Sequence, residues 1–400
     1  MTERVSVEAG VPVMVVRLVS VTGGEGGHGG HTVYHVEALE RPTALLPREA
    51  GPEVAALLGP AERRADWATP DGLRAAVEWA ERALAAAGRP LGGPVEQVRT
   101  WNLSGLFRLP TAAGPTWLKV INPAFNSREG EAIALFGAVD PALVPPVLAA
   151  DAGRGLLLLD EVPGEDCWGP SAEEVAGVVP RLVAVQATLA ADGRAAAAGL
   201  RDRTPRAVAA AVGGLLDRLA AESAASVDAD AAADADPGKD AAAGTTPAAG
   251  SGLTAEELAA ARALVERLPA LVEELAACGL PETVVHGDFH PGNWRSDGTP
   301  PVVVDYADTC LGHPAMDGLR PRAFVDAERW TQLAGEWARA WRAHVPGCAP
   351  ERALELAEPL FHLGYALRYQ EFLDHIEDSE RPYHEGDPAS EIRRALEVAG

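Results

Sequence analysis

Residues 283–305 constrain this chain more than any other stretch. Two apolar triplets, Thr283-Val284-Val285 and Val302-Val303-Val304, read as short strands. Between them runs His286-Gly287-Asp288-Phe289-His290-Pro291-Gly292-Asn293-Trp294, and Asp305 follows the second triplet directly. An extended pair of strands would hold Asp288, Asn293 and Asp305 close together. Asn293 offers an amide oxygen and Asp305 a carboxylate, both hard donors. That set suits Mg²⁺, which takes a few protein oxygens and completes its shell with water and phosphate. Asp288 could then orient a hydroxyl and accept its proton. This division of labour is what phosphoryl transfer asks of a protein, where positioning and charge neutralisation dominate.

Other readings of the same residues are weaker. Asp288 alone could be a turn residue, since Asp favours turns, but His286, Asn293 and Asp305 stand in register with it. His286 and His290 are four apart, a spacing that binds zinc best on a helix; Pro291-Gly292 breaks any helix there. Cys310 has no evident activating group and reads as a buried thiol.

The run HGDFHPGN followed by VVVDYADTCLGHPAMD resembles the catalytic loop and metal segment of the aminoglycoside phosphotransferase-like kinases, a family that includes choline kinase-type enzymes. The resemblance covers roughly residues 95–380. It implies an α+β, protein-kinase-like two-lobed fold, with a small β-rich N-lobe and a larger helical C-lobe. It implies Asp288 as catalytic base, Asn293 and Asp305 as magnesium ligands, and His286, His290 and Asp317 as framework residues. ATP and Mg²⁺ are the implied cofactors.

A kinase of this fold needs a lysine on a central N-lobe strand and a helix acid to hold it. The chain has only two lysines, Lys119 and Lys239. Lys119 lies in the strand-like Thr116-Trp117-Leu118-Lys119-Val120, and an ammonium is a different tool from the guanidinium this chain otherwise uses. Glu129 is the preferred partner, with Glu131 the alternative. Trp101-Asn102-Leu103-Ser104-Gly105 would cover the phosphates, which puts Ser104 near them. Leu159-Asp160-Glu161-Val162 would be the hinge for adenine, with Asp160 and Val162 contributing through the backbone. Tyr369, Gln370, Glu371 and Asp374, on a late helix, are candidates to bind the acceptor.

Three regions are expected: an appendage over 1–65, an N-lobe over 66–162 and a C-lobe over 163–400. Val13–Val16 and Thr32–Val36 suggest a hairpin around the glycine-rich stretch 23–30. That stretch resembles a phosphate loop only superficially, since no Lys-Ser/Thr and no helix follow it. Residues 222–251 are rich in alanine and acid and are expected to be a disordered insertion. Thr254-Ala-Glu-Glu257 is a capping-box start for the next helix.

Composition bounds the partners. Lys plus Arg is 34 and Asp plus Glu is 58, a formal net charge of −24. So acidic a chain is a poor general binder of nucleic acid or of anionic membranes. It would attract a cationic small-molecule hydroxyl acceptor, although solubility alone also explains the acidity. The four cysteines form no CxxC pair, no run approaches a membrane span, and Arg17 interrupts the N-terminal apolar stretch. A cytoplasmic location is the expectation.

Overall fold

The structure, a computed structural model, describes residues 2–23, 30–38, 40–42, 49, 51–52, 54–55, 59, 61–100, 103–122, 124, 128–194, 199–235 and 252–400. The chain divides into two units. The first comprises Met1–Ser127, Val147–Glu161 and Phe372–Glu385, and the second Arg128–Pro146, Val162–Glu371 and Gly386–Gly400.

The first unit opens with α1 (Thr2–Ala9) and the antiparallel hairpin β1 (Val13–Thr22) and β2 (His31–Ala38). The glycine-rich residues 24–29 lie outside the described residues. Helix α2 (Pro70–Ala86) starts as its sequence predicts, with Thr69 accepting from Gly72 N–H and Pro70 in the first turn. Then come β3 (Glu96–Thr100), β4 (Ser104–Thr111), β5 (Gly114–Ile121), β6 (Val147–Asp151) and β7 (Leu156–Asp160). They form one antiparallel sheet in the order β3-β4-β5-β7-β6. Alternation along β4 and β5 turns Phe107, Leu109, Leu118 and Val120 to one core. Leu73, Ala76, Ala80 and Leu84 of α2 complete that core at helical spacing.

Residues 1–65, expected as a separate appendage, cluster with this sheet. The reason is polar as well as apolar. The Gln97 side chain bonds both backbone groups of Val15, at 2.8 and 2.7 Å. Arg17, the charge that interrupts the apolar strand, is buried and paired with Glu377 at 2.9 Å. Arg64 reaches the same carboxylate at 2.9 Å.

The second unit contains α3 (Glu129–Gly137), β8 (Glu165–Asp166), α4 (Ala172–Asp192), β9 (Arg201–Arg203), α5 (Pro205–Ala235) and α6 (Ala255–Ala276). After α6 come β10 (Thr283–Val285), β11 (Trp294–Ser296), β12 (Val302–Val303) and β13 (Cys310–Gly312). The rest is helical: α7 (Ala315–Leu319), α8 (Ala327–His344), α9 (Pro350–His375), whose last turn clusters with the first unit, and α10 (Asp387–Ala399). The capping box at Thr254 and Glu257 forms as expected, and a second one, Ser171 with Glu174, starts α4.

Two expectations need correction. Helix α5 runs to Ala235, well into the segment expected to be disordered, because its alanines favour helix; 236–251 lie outside the described residues. Helix α4 is long and apolar enough, by length and composition, to cross a membrane. Val175, Val178, Val179, Leu182, Val183, Val185 and Leu189 are nevertheless buried in the protein core. All four cysteines are free and buried.

Candidate active site

The two apolar triplets do not pair with each other as expected. Strand β10 pairs with β13, which also pairs with β9, whereas β12 pairs with β11, which also pairs with β8. Each triplet finds its partner in the segment after a one-turn 3₁₀ helix, Pro291–Asn293 for β11 and Tyr306–Asp308 for β13. The loop between the two small sheets still brings the three polar residues together. Val304 N–H donates to the Asn293 carbonyl at 2.9 Å, so Asp305 starts one residue beyond Asn293's backbone partner. The Asn293 amide nitrogen donates to the Asp288 carbonyl at 2.9 Å and to its carboxylate at 3.1 Å.

Asp305 is the only described non-glycine residue with positive φ, at 63°. Such a backbone costs an ordinary L-residue about 1 kcal/mol or more. The side chain is exposed and carries a carboxylate, a combination that marks the residue as more than a turn.

Asp288 is gripped at both oxygens. Arg320 Nε donates to Oδ1 at 2.6 Å, and His290 Nε2 lies 3.4 Å from Oδ2. His290 Nδ1 accepts from Gly292 N–H at 3.1 Å, which leaves Nε2 to carry the proton toward Asp288. Burial by itself would raise the Asp288 carboxyl, but the Arg320 guanidinium, with His290, holds it well below the usual carboxylate range. Arg320 in turn sits over the rings of Phe324 and Tyr365, 4.7 Å from each centroid. The Tyr365 hydroxyl donates to the Gly287 carbonyl.

Beneath the loop lies a rigid support. His286 is fully buried, and burial holds its ring down at about 4, so it is neutral near pH 7. Its Nδ1 accepts from Asp288 N–H at 3.2 Å and its Nε2 faces the Val304 carbonyl at 3.1 Å. Asp317 accepts from the backbone of His286 at 2.7 Å and of Gly287 at 2.8 Å, and from Gln186 at 2.7 Å. Burial pushes Asp317 up to about 7 while these donors favour its ionised form. Gly287 has φ 86°, and a Cβ there would sit 2.2 Å from the Asp308 carbonyl oxygen. Only glycine fits.

The donor set fits a hard cation. Asn293 has turned its nitrogen to Asp288, so its oxygen and the Asp305 carboxylate are the two hard donors that would hold the ion. Both nitrogens of His286 are engaged by backbone groups. No described cluster of three His, Cys, Asp or Glu side chains is placed to hold a metal.

The remaining expected site residues are distributed as follows. Lys119 lies on β5 of the first unit, buried, with Leu106 and Leu157 as its strand partners. Ser104 opens β4, and Trp101 and Asn102 lie outside the described residues. Glu129 opens α3 of the second unit and is buried, whereas Glu131 is half-buried. The Asp160 carboxylate pairs with Arg89 at 2.9 Å, and the Val162 carbonyl accepts from Arg295 at 3.2 Å. Tyr369 and Gln370 lie on α9 in the second unit, and Asp374 falls in the first. The Glu371 carboxylate is held by Arg201, Arg203 and Arg368. An acid engaged by three guanidiniums is an anchor for those arginines, which leaves little of it for an amine. Arg320 was not legible beforehand: its only sequence signal is its position three residues after Asp317, one turn along.

A β-rich unit followed by a larger helical one, with a carboxylate, an amide and a second carboxylate on a buttressed loop, defines a kinase-like small-molecule phosphotransferase. The chain belongs to the phosphotransferase enzyme family, APH, whose sequence model matches residues 106–354. Among solved structures it is similar to a candidate fructosamine-3-kinase from Thermobifida fusca, with a TM-score of 0.51 at 15% identity over 80% of this chain and 98% of that one. It is also similar to the choline kinase LicA from Streptococcus pneumoniae, with a TM-score of 0.50 at 11% identity over 81% of this chain and 98% of that one. These likenesses carry the fold. No curated protein sequence matches the chain.

Proposed function

We propose that the protein is an ATP- and Mg²⁺-dependent O-phosphotransferase whose acceptor is a hydroxyl of an amino sugar, aminoglycoside or amino alcohol, acting in the cytoplasm. The observation that carries the reading is the linked trio: Asp288 bonded to Asn293, and Asn293 paired with the residue before Asp305. Asn293 Oδ1 and the Asp305 carboxylate would hold the metal, and Lys119 would hold the nucleotide phosphates. Bound Mg·ATP supplies the transferable phosphoryl group and the charge that offsets its oxygens.

The chain's own part is positional. Asp288, kept ionised, accepts a hydrogen bond from the acceptor hydroxyl and directs its lone pair. A carboxylate with so low a pKa is a weak base in the ground state. It takes the proton late, as the oxygen loses electron density, which suits a loose transition state. His286 and Asp317 keep the loop backbone fixed and stay out of the proton transfer.

Thermal unfolding with and without Mg·ATP, beside Asp305→Ala, tests the reading. A native-state ligand at about 100 times its Kd stabilises by about 2.7 kcal/mol. The parent should shift and the variant should not. Absence of any shift in the parent across a wide nucleotide range would sink the proposal.

A further inference from the structure

One aromatic side chain beside this loop is unaccounted for. Trp168 is 58% exposed, and no other described aromatic is a large exposed hydrophobic. Its backbone is fixed, one residue beyond Cys167, whose N–H donates to the Trp294 carbonyl at 2.8 Å. Its indole stacks on the His290 ring, with centroids 5.6 Å apart and planes 29° apart. His290 stacks on Phe324 in turn, at 4.1 Å and 14°. The chain thins its own backbone to admit the indole, since a Cβ on Gly292 would fall 2.2 Å from Trp168. Trp168 and Phe324 also lie 6.0 Å apart with planes tilted by 43°, so the three rings form a compact cluster around the histidine that faces Asp288, and the indole is its face open to water.

We propose that Trp168 is the acceptor-recognition platform. It stacks on a sugar-like ring while a hydroxyl on another part of the same molecule reaches Asp288. This rests on the phosphotransferase reading above and narrows its acceptor. An indole held at low entropy gains from covering its apolar face, and the C–H face of a sugar ring is a suitable cover. Trp168 packs on His290, whose Nε2 lies 3.4 Å from the Asp288 carboxylate, so a ring laid on the indole and a hydroxyl at Asp288 belong to neighbouring parts of one acceptor.

The test uses the full chain, its Trp168→Ala and Trp168→Phe variants, and three probes: kanamycin, cellobiose and choline. Calorimetry reads binding of each probe without nucleotide, and steady-state assays with Mg·ATP read KM and kcat. The expected result is that Trp168→Ala weakens a ring-bearing probe about tenfold in Kd and KM. Its kcat and its KM for Mg·ATP should stay within about twofold, and Trp168→Phe should recover most of the loss. Three outcomes overturn the platform: no ring-bearing probe binds the parent, choline binds as well as they do, or Trp168→Ala slows every acceptor alike through kcat. A parent that binds a ring-bearing probe but shows no thermal shift with Mg·ATP overturns the phosphotransferase reading and leaves the platform standing.

Discussion

Arg320 Nε donates to Asp288 Oδ1 at 2.6 Å, so the carboxylate proposed to meet the acceptor already carries a cation. Both side chains are about one-fifth exposed. Losing such a charge-assisted hydrogen bond costs about 1–3 kcal/mol. Arg320→Ala should therefore lower stability by that amount, with part recovered by Arg320→Lys. The pH dependence has a definite sign. The folded pKa of Asp288 is depressed below its unfolded value near 3.9, so the contribution is full above about pH 5 and is lost as pH falls through the folded value. Chemical denaturation of parent and Arg320→Ala between pH 2 and 8 reads this out. A gap that widens in acid would contradict it.

Asp305 separates backbone strain from chemistry. Its φ of 63° suits glycine better than alanine. Asp305→Gly should exceed Asp305→Ala in stability by about 1 kcal/mol. Both should lose the thermal shift with Mg·ATP, because neither supplies a carboxylate. Equal stability of the two variants would mean that the left-handed turn is not held in solution.

Gly287→Ala should be among the most damaging single-methyl changes in the chain. The added Cβ would lie 2.2 Å from a backbone oxygen that cannot step aside, at φ 86°. A loss of more than about 2 kcal/mol is expected, with nucleotide-dependent stabilisation weakened in whatever remains folded. Near-parental melting would show that the loop relaxes freely.

His313 gives a second pH signature. It is buried, its Nδ1 accepts from Ala315 N–H at 3.2 Å, and burial pushes its ring down to about 3. The folded pKa is lower than the unfolded value near 6.5, so stability is full above that value and falls with pH toward the folded one. Asn can offer an oxygen where Nδ1 stands and cannot take up the proton. His313→Asn should therefore show a shallower loss of stability between pH 6.5 and 4 than the parent. Parallel curves would mean that His313 does not stay neutral in the fold.

Much of this was readable beforehand, for local reasons. Thr69-Pro70 and Thr254-Ala-Glu-Glu257 announce their helices because a cap is made within four residues. Asp288, Asn293 and Asp305 stand out because few other roles need those groups at that spacing. The strand pairing was not readable. Val302 and Val303 are as good a partner for β10 as Cys310 to Gly312 by composition, and the choice fell to the two 3₁₀ turns that reverse the chain. Glu371 looked like an open acid until Arg201 and Arg203, about 170 residues earlier, closed on it.

By itself, then, the sequence determined the family, the polar trio of the loop, a lysine on a strand of the first unit and most helix starts. Those depend on residue type and short spacing, which the covalent chain carries directly. The tertiary structure alone decided the Arg320 grip on Asp288, the cluster of Trp168, His290 and Phe324, the left-handed turn at Asp305 and the neutral state of His286. Those depend on which distant groups come within about 4 Å and on how much water is excluded around them, and neither is a local property of sequence.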